Sequence, residues 1–151
     1  MATTNQENLK FKGVNFVNLN YSCEKPWTDE EIVLNVEPSI FLHKHSKNSF
    51  EIVMGVSVKA EGSFDINLTA IGTFIIGENA GDEYRKIFMN QNSPAIMFPY
   101  VRAFISTLTS NLGKTTGTVT IPAQIFKGDL EILNPQALEE DNQGDVIEPL
   151  N

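Results

Sequence analysis

Apolar and polar residues alternate through the first half of the chain with the two-residue period of a β-strand. The clearest example is residues 50 to 58, in which Glu51 and Ser57, with Lys59 just beyond, separate apolar residues that would share one face. These apolar residues are Phe50, Ile52, Met54, Val56 and Val58. Such a pattern is typical of a strand with one buried face. We therefore predict a half-buried strand here.

A second strand follows directly after a turn. The turn is Glu61-Gly62-Ser63, and the alternation then resumes at Phe64, Ile66, Leu68 and Ala70. Residues 49 to 77 are therefore predicted to form an antiparallel hairpin. Gly72 lies inside the second strand, and a glycine there indicates a bulge or the close approach of another element.

Two more strands are predicted upstream of this hairpin. Their apolar residues are Val14, Phe16 and Tyr21 in the first and Ile32, Leu34 and Val36 in the second. Pro38 is expected to interrupt or end the second strand, because proline has no N–H for a strand ladder. The first half of the chain thus predicts four antiparallel strands.

The apolar spacing changes to three and four residues after residue 92, which predicts a helix that ends near Asn111. Its apolar stripe consists of Ile96, Met97, Tyr100, Val101, Phe104, Ile105 and Leu108. Ser93-Pro94 predicts the helix start, with the serine as N-cap and the proline in the first turn. Pro99 is expected to bend the first turns or to separate a short helix from a longer one.

The remaining residues predict a loop and one brief helix. Gly113 and Gly117 enclose the loop, and Thr118 to Ile121 is expected to be extended. The apolar residues that would form the brief helix are Ile125, Phe126, Leu130, Ile132 and Leu133. The fold class predicted is α+β: a four-stranded antiparallel sheet followed by a long helix and a short C-terminal helix, with the helices on one face.

The end of the fourth strand is apolar on both faces, since Ile71 and Ile75 alternate with Phe74 and Ile76. Burial against a second copy of the chain would cover the face that the helices leave open. We therefore expect a homo-oligomer.

Length and charge divide the chain into a domain, residues 1–134, and an acidic tail, residues 135–151. The length of 151 residues suits one domain with a core that needs no disulfide. Five of the 19 acidic residues follow Asn134, and no Lys or Arg follows Lys127, so we expect a disordered tail. The net charge of -8 argues against nucleic acid or an anionic membrane as a partner.

The first eight residues carry no basic side chain and no apolar run follows them. Neither a signal peptide nor a membrane span is expected, and a cytoplasmic location is predicted. The lone Cys23 fits a reducing compartment, and we expect a small strand residue here and not a nucleophile.

Groups that could carry catalysis or bind a metal are scarce. His43 and His45 would share a face of a strand, but no Cys, Asp or Glu accompanies them nearby in the sequence, so a solvated strand end or loop is favoured over a metal site. The acidic segment 77 to 81 lacks the Lys-Ser or Lys-Thr pair of a phosphate loop. Two histidines and one cysteine give no triad. No enzymatic activity, cofactor or metal is expected.

One stretch of the predicted helix resembles the SecB family of protein-export chaperones. Phe98-Pro99-Tyr100 with Arg102 and Ile105 is similar to that family's Leu-Phe-Pro-Tyr-Ala-Arg stretch, with Met97 and Val101 in place of its Leu and Ala. Further matches are Gly72-Thr73-Phe74, Phe50-Glu51-Ile52-Val53, Trp27, Gly113 and Pro122. The resemblance covers roughly residues 10 to 130.

The resemblance implies a subunit that assembles as a dimer of dimers and holds unfolded precursor polypeptides in long apolar grooves, without cofactor or ATPase. Binding of the unfolded chain alone would slow folding and aggregation by mass action. Extended clients would pair with strand edges while apolar pockets take their side chains. The groove candidates are Leu34, Val36, Ile40, Leu42, Phe98, Phe104 and Phe126, each of which is equally explained as core.

Two departures from the SecB pattern stand out. Acidic side chains on the outer sheet face of that family dock the zinc-bearing tail of the translocase motor SecA, whereas the corresponding positions here hold the uncharged Asn18, Ser22 and Asn67. We therefore expect weak docking to SecA. The family's Pro-x-x-Phe becomes Pro122-Ala123-Gln124-Ile125, and Pro135 shortens the C-terminal helix, so the cover of the groove is expected to be reduced or rebuilt.

Three classes of function remain open. The first is a SecB-like holdase, either for general export or dedicated to one client, as in toxin-antitoxin-associated SecB-like proteins. The second is an interaction module on the same fold without client binding. The third is a carrier of an apolar small molecule in the same groove.

Overall fold

The computed structural model describes residues 8–138. Its strands are β1 (Leu9–Cys23), β2 (Ile32–Leu42), β3 (Ser49–Ala60), β4 (Phe64–Ile76) and the short β5 (Glu131–Ile132). They form one sheet in the order β1-β4-β3-β2-β5, in which β5 is parallel to β2 and the other neighbours are antiparallel. The predicted α+β class and four-stranded antiparallel sheet are confirmed.

A 30-residue helix follows the four long strands. It consists of α1 (Asp82–Ile87), a π-helical turn (Phe88–Asn92) and α2 (Ser93–Asn111). Within the described part of the chain, neither α1 nor α2 combines the length and the hydropathy that a bilayer crossing requires.

The hairpin predicted over residues 49 to 77 is confirmed. The turn between its strands lies at residues 61 to 63, and Phe50 pairs with Phe74. Directly paired residues of antiparallel strands point to the same face of the sheet. The apolar series that starts at Phe50 and the series that starts at Phe64 therefore share one face, which we call the inner face, and the opposite side is the outer face.

The sequence predicted that Pro38 would interrupt or end the second strand. This prediction is wrong, because β2 continues to Leu42. The carbonyl of Ile40 accepts from the Leu133 N–H at 2.8 Å, on the side away from β3. Backbone groups two residues apart in a strand point to the same side, so the nitrogen of Pro38 also points away from β3. Its missing N–H therefore costs no hydrogen bond in the β2–β3 ladder.

The helix begins at Asp82 and not at the predicted Ser93. Ser93 is fully buried, and its hydroxyl donates to the Phe88 carbonyl at 2.5 Å instead of capping a helix end. Pro94, which has no N–H to donate, is the second residue after the π-helical turn, which already interrupts the regular i to i−4 ladder. Pro99 does not divide α2, which runs from Ser93 to Asn111.

The prediction of a brief helix over residues 125 to 133 is wrong. Residues 125 to 130 have no regular secondary structure, and Glu131 and Ile132 form β5 instead. A helical turn follows at residues 136 to 138, and the rest of the predicted acidic tail lies outside the described residues. Side chains from distant parts of the chain hold this segment, as described below.

The hydrophobic core lies between the inner face and α2. Met97, Val101 and Ile105 are fully buried on α2. Aromatic rings connect the helix to the edge strand β1, because Phe104 stacks on Phe16 with their centroids 4.0 Å apart. Met97, Val101 and Ile105 of the predicted stripe therefore form one wall of the core, whereas Ile96 and Tyr100 are 39% and 53% exposed.

The close approach predicted at Gly72 is present, since a Cβ there would lie 3.0 Å from the Met97 sulfur. We expect Gly72→Ala to lower the free energy of unfolding by about 1 kcal/mol, because the buried methionine must move. Urea denaturation would measure the change. Gly55→Ala on β3 is the matched control, since its new Cβ would meet no atom closer than 3.9 Å. Equal stabilities of the two variants would contradict the prediction.

Candidate functional site

Most of the predicted groove residues meet on the inner face, beside the edge of the sheet that β2 forms. Four of them belong to β2: Leu34, Val36, Ile40 and Leu42, which pair with inner-face residues of β3. Phe98 on α2 meets Phe126 edge-on, with centroids 5.7 Å apart. Phe126 belongs to the segment that follows α2 in the chain and reaches the edge of β2 at β5. Phe104 is separate from this group, because it stacks on Phe16 of β1 at the other end of the sheet order.

The seven candidates differ in burial. Ile40 and Phe98 are only 2% and 3% exposed, whereas the other five are half-buried. A half-buried apolar side chain can contact a ligand directly, whereas a fully buried side chain requires its cover to move. In the structure as it stands, Ile40 and Phe98 therefore support the surface and do not form it.

The outward edge of β2 is open over its first half. Leu34 and Val36 direct their backbone N–H and C=O groups away from β3, as Ile40 does. Among residues 8–138, these outward groups of Leu34 and Val36 have no hydrogen-bond partner. Free backbone donors and acceptors thus lie beside half-buried apolar side chains, which is the combination that strand addition requires.

The segment after the loop at Gly113 and Gly117 is attached to α2 by side chains. Thr109 Oγ1 accepts from the Val119 N–H at 2.8 Å, and Ser106 Oγ donates to the Val119 carbonyl at 3.1 Å. Arg102 Nε donates to the Ile121 carbonyl at 2.8 Å. Residues 118 to 121 therefore run along the helix and not in the sheet. Arg102, part of the motif Phe98, Pro99, Tyr100 and Arg102, here positions the chain after the helix.

Residues 126–134, which we call the strap, continue from this segment to the edge of β2. Asn90 Oδ1, in the π-helical turn, accepts from the Leu130 N–H at 2.7 Å. Asn134 binds both backbone groups of Leu42: its Oδ1 accepts from the N–H at 2.9 Å and its Nδ2 donates to the carbonyl at 2.7 Å. Two asparagine side chains thus fix the two ends of residues 130 to 134.

Sequence reasoning missed Asn90 and Asn134. One signal for Asn90 was available, because asparagine is unfavourable inside a helix unless its side chain has a specific partner. Asn90 is only 9% exposed. Nothing in the local pattern indicated that Asn134 would bind a residue on β2.

The three positions that correspond to the docking acids of the SecB pattern lie on or beside the outer face. Asn18, which has a positive φ of 53°, and Asn67 line a shallow cavity of about 320 Å³. Ser22 pairs with Asp65, whose carboxylate accepts from Asn67 Nδ2 at 2.8 Å. Glu37 also lines the cavity. Two acids therefore lie near these uncharged positions.

A loop between β1 and β2 packs beside the start of the segment that follows α2. Trp27 donates from its backbone N–H to the Thr115 carbonyl at 2.9 Å and from its indole to the Glu30 carbonyl at 2.8 Å. The backbone N–H of Thr28 donates to the Glu30 carboxylate, and this hydrogen bond is the main reason that the pKa of Glu30 is lowered to about 2. Glu30 therefore stays ionised at every physiological pH.

His43 has a carboxylate neighbour that the sequence did not indicate, since its Nε2 lies 3.4 Å from Oε1 of Glu51 across the β2–β3 pair. Within residues 8–138, no group of three or more His, Cys, Asp or Glu side chains is arranged to hold a metal ion.

Comparison with known proteins agrees with this fold. The family model SecB, described as preprotein translocase subunit SecB, matches residues 8–116. The uncharacterized protein MJ0357 of Methanocaldococcus jannaschii is 37% identical over a 95-residue alignment that covers 58% of this chain. The match spans 61% of the length of that relative.

Two solved structures share the fold at low sequence identity. The Mycobacterium tuberculosis Rv1957 SecB-like chaperone, in complex with a ChAD peptide from the Rv1956 HigA1 antitoxin, superposes with a TM-score of 0.63 at 11% identity, covering 78% of this chain and 88% of that one. A protein of unknown function from Streptococcus agalactiae gives 0.52 at 14% identity, covering 76% and 96%. With the family model matching most of the described residues, the chain belongs to the SecB family.

Proposed function

We propose that this protein is a cytoplasmic, ATP-independent holdase that binds unfolded or precursor polypeptides for protein export. The observation that carries the proposal is the open edge of β2 beside the half-buried side chains of Leu34 and Val36. An extended polypeptide would pair with this edge and place alternate side chains on the inner face. Since backbone groups provide much of the recognition, many sequences could bind. The function needs no catalytic residue, cofactor or metal.

Family membership supports a binding function of this kind. The Mycobacterium tuberculosis protein of the same fold was solved with a peptide bound, so this fold can hold a peptide. We assign the client contacts to Leu34, Val36 and Leu42, with Ile40 and Phe98 beneath them, Phe126 against Phe98 and Phe104 on the β1 side of α2.

We further propose that the protein assembles as a dimer of dimers. Val17 and Leu19 on the edge strand β1 are 37% and 43% exposed, and Ile71 and Ile75 are half-buried on the outer face. Apolar side chains on an edge strand and on a sheet face are the surfaces that a second copy would cover.

A dedicated chaperone for a single client is the second candidate. The uncharged side chains of Asn18, Ser22 and Asn67 favour it, because a charge-led contact with SecA would be weak at these positions. The Mycobacterium tuberculosis SecB-like chaperone, whose fold this chain shares, was solved with a peptide from one such partner, the Rv1956 HigA1 antitoxin.

Aggregation of unrelated denatured proteins tests the two candidates. The purified protein at stoichiometric concentration, without ATP, is expected to suppress the light scattering of several such proteins as they are diluted from denaturant. Suppression of all of them supports the general holdase. Tight binding of one partner without broad suppression supports the dedicated chaperone. No binding of any unfolded polypeptide would overturn the proposal.

The groove assignment predicts the effect of a double substitution. Leu34→Ser with Leu42→Ser is expected to weaken the binding of an unfolded client by at least about fivefold, since two half-buried apolar contacts are lost. Fluorescence anisotropy of a labelled, permanently unfolded client would measure the Kd, with circular dichroism as the check on folding. Phe41→Ser, the outer-face neighbour of Leu42, is the control and should leave the Kd unchanged. Wild-type affinity in a folded double variant would show that the groove is wrongly placed.

A further inference from the structure

The strap covers the two groove candidates that are fully buried. Ile132 pairs with Ile40 in register and so shares its face, and the Phe126 ring meets the Phe98 ring edge-on at 5.7 Å. Ile132 and Phe126 are themselves only partly buried against the core. Part of the apolar surface near β2 is therefore hidden by the chain's own C-terminal segment.

The strap also occupies the backbone groups that would continue the open edge. The Ile40 carbonyl and both backbone groups of Leu42 bind Leu133 and Asn134, whereas the equivalent groups of Leu34 and Val36 are open. Pro38 between them can offer only its carbonyl. If the strap left, the available edge would extend from the first half of β2 to its end at Leu42.

Few interactions hold the strap in place. Its strand pairing covers two residue pairs, Ser39 with Glu131 and Ile40 with Ile132. Leu133 is 47% exposed, and residues 127 to 129 are exposed as well. A segment with few buried apolar contacts and solvent-accessible hydrogen bonds opens at low free energy compared with the core.

We propose that the strap is a displaceable internal ligand of the client groove. Attached, it occupies the β2 edge at residues 39 to 42 and covers Ile40 and Phe98; detached, it leaves both to an extended polypeptide. The proposal rests on the proposed function and adds its regulation. Because client and strap compete for the same groups, the apparent Kd for a client equals the intrinsic Kd divided by the fraction of molecules in which the strap is detached. Loosening the strap therefore tightens client binding.

Asn134→Ala in the full chain tests this competition, since it removes both hydrogen bonds to Leu42. The amide hydrogen exchange of Leu133, whose N–H donates to the Ile40 carbonyl and not to Asn134, is expected to accelerate about threefold to tenfold, and the Kd of an unfolded client to fall by a similar factor. Asn111→Ala is the matched control, because its side chain donates only to the Thr107 carbonyl within α2. It should change neither quantity.

A reversible cross-link provides a second test, in which the strap is held in place instead of being loosened. Ser39 and Glu131 are paired neighbours on β2 and β5, so Ser39→Cys with Glu131→Cys in a Cys23→Ser background places two thiols within reach of a disulfide. The oxidised protein is expected to bind the client at least about threefold more weakly than the same protein after reduction.

The outcomes separate the strap from the proposed function. Unchanged exchange at Leu133 in Asn134→Ala, or faster exchange with weaker client binding, overturns the competition, because the strap would then be rigid or part of the client site. Equal affinities of the oxidised and reduced cross-linked protein overturn it as well. If neither wild type nor variants bind any unfolded client, the proposed function fails and the competition fails with it, whatever the exchange rates.

Discussion

Phe74→Ala is expected to lower the free energy of unfolding by about 3–5 kcal/mol. The Phe74 side chain is fully buried, and its ring contacts Phe50 at 5.5 Å and Phe11 at 5.1 Å between centroids. Removal of the ring leaves a cavity where β3, β4 and β1 meet. A loss of this size is a large part of the 5–15 kcal/mol that typically stabilises a domain. Urea denaturation followed by circular dichroism would measure it.

The loss of the Phe74 ring should also weaken the packing of α2. Phe11, which contacts Phe74, also contacts Tyr100 of the Phe98-Pro99-Tyr100 motif, with the ring centroids 5.0 Å apart. Phe41→Ala on the outer face provides the comparison, since that phenylalanine is already 39% exposed. Phe41→Ala should lower the free energy of unfolding by about 1 kcal/mol or less. Comparable losses in the two variants would mean that Phe74 is not central to the core.

Thr109→Val is expected to lower the free energy of unfolding by about 1–3 kcal/mol without changing the shape of the side chain. Thr109 is fully buried, and its hydroxyl donates to the Ile105 carbonyl at 2.8 Å while it accepts from the Val119 N–H at 2.8 Å. Valine leaves the Val119 N–H unpaired in a position that is 2% exposed. Thermal and urea unfolding would measure the loss.

Thr107→Val is the matched control for Thr109, because Thr107 is an exposed residue on the same helix and the change in helix propensity is the same. Its stability should remain close to that of the wild type. If both variants lose the same amount, the effect comes from valine in the helix and not from the bond to Val119. A specific loss at Thr109 would show that residues 118 to 121 depend on α2 for their position.

The parts of the fold that the sequence predicted correctly are those in which local spacing and tertiary contacts agree. The β3–β4 hairpin has every second residue in the core, and α2 packs Met97, Val101 and Ile105 of its predicted stripe against the inner face. The errors arose where a contact with a residue distant in the sequence determines the local structure. Pro38 is accommodated because its nitrogen points away from β3, and Ser93 is internal because the helix starts eleven residues earlier, at Asp82.

The candidate site was predictable only in part, for the same reason. The alternation in β2 placed Ile32, Leu34 and Val36 on one face correctly. The helical spacing of residues 125 to 133 was misleading, because Asn90 and Asn134 hold this segment through bonds to residues far away in the sequence. Local spacing contains no information on such bonds, so the burial of Ile40 and Phe98 could not be foreseen.

The place of β1 in the sheet order has a consequence for the order of folding. Leu9 pairs with Ile76 and Cys23 with Phe64, so every β1 pairing encloses the whole of β2 and β3 in a loop. The β2–β3 and β3–β4 pairs close over short connections, at a smaller entropic cost. We therefore expect the strand synthesised first to be the last of the four to dock. Until β4 leaves the ribosome, this chain carries an unpaired apolar strand of its own, the kind of segment that holdases bind.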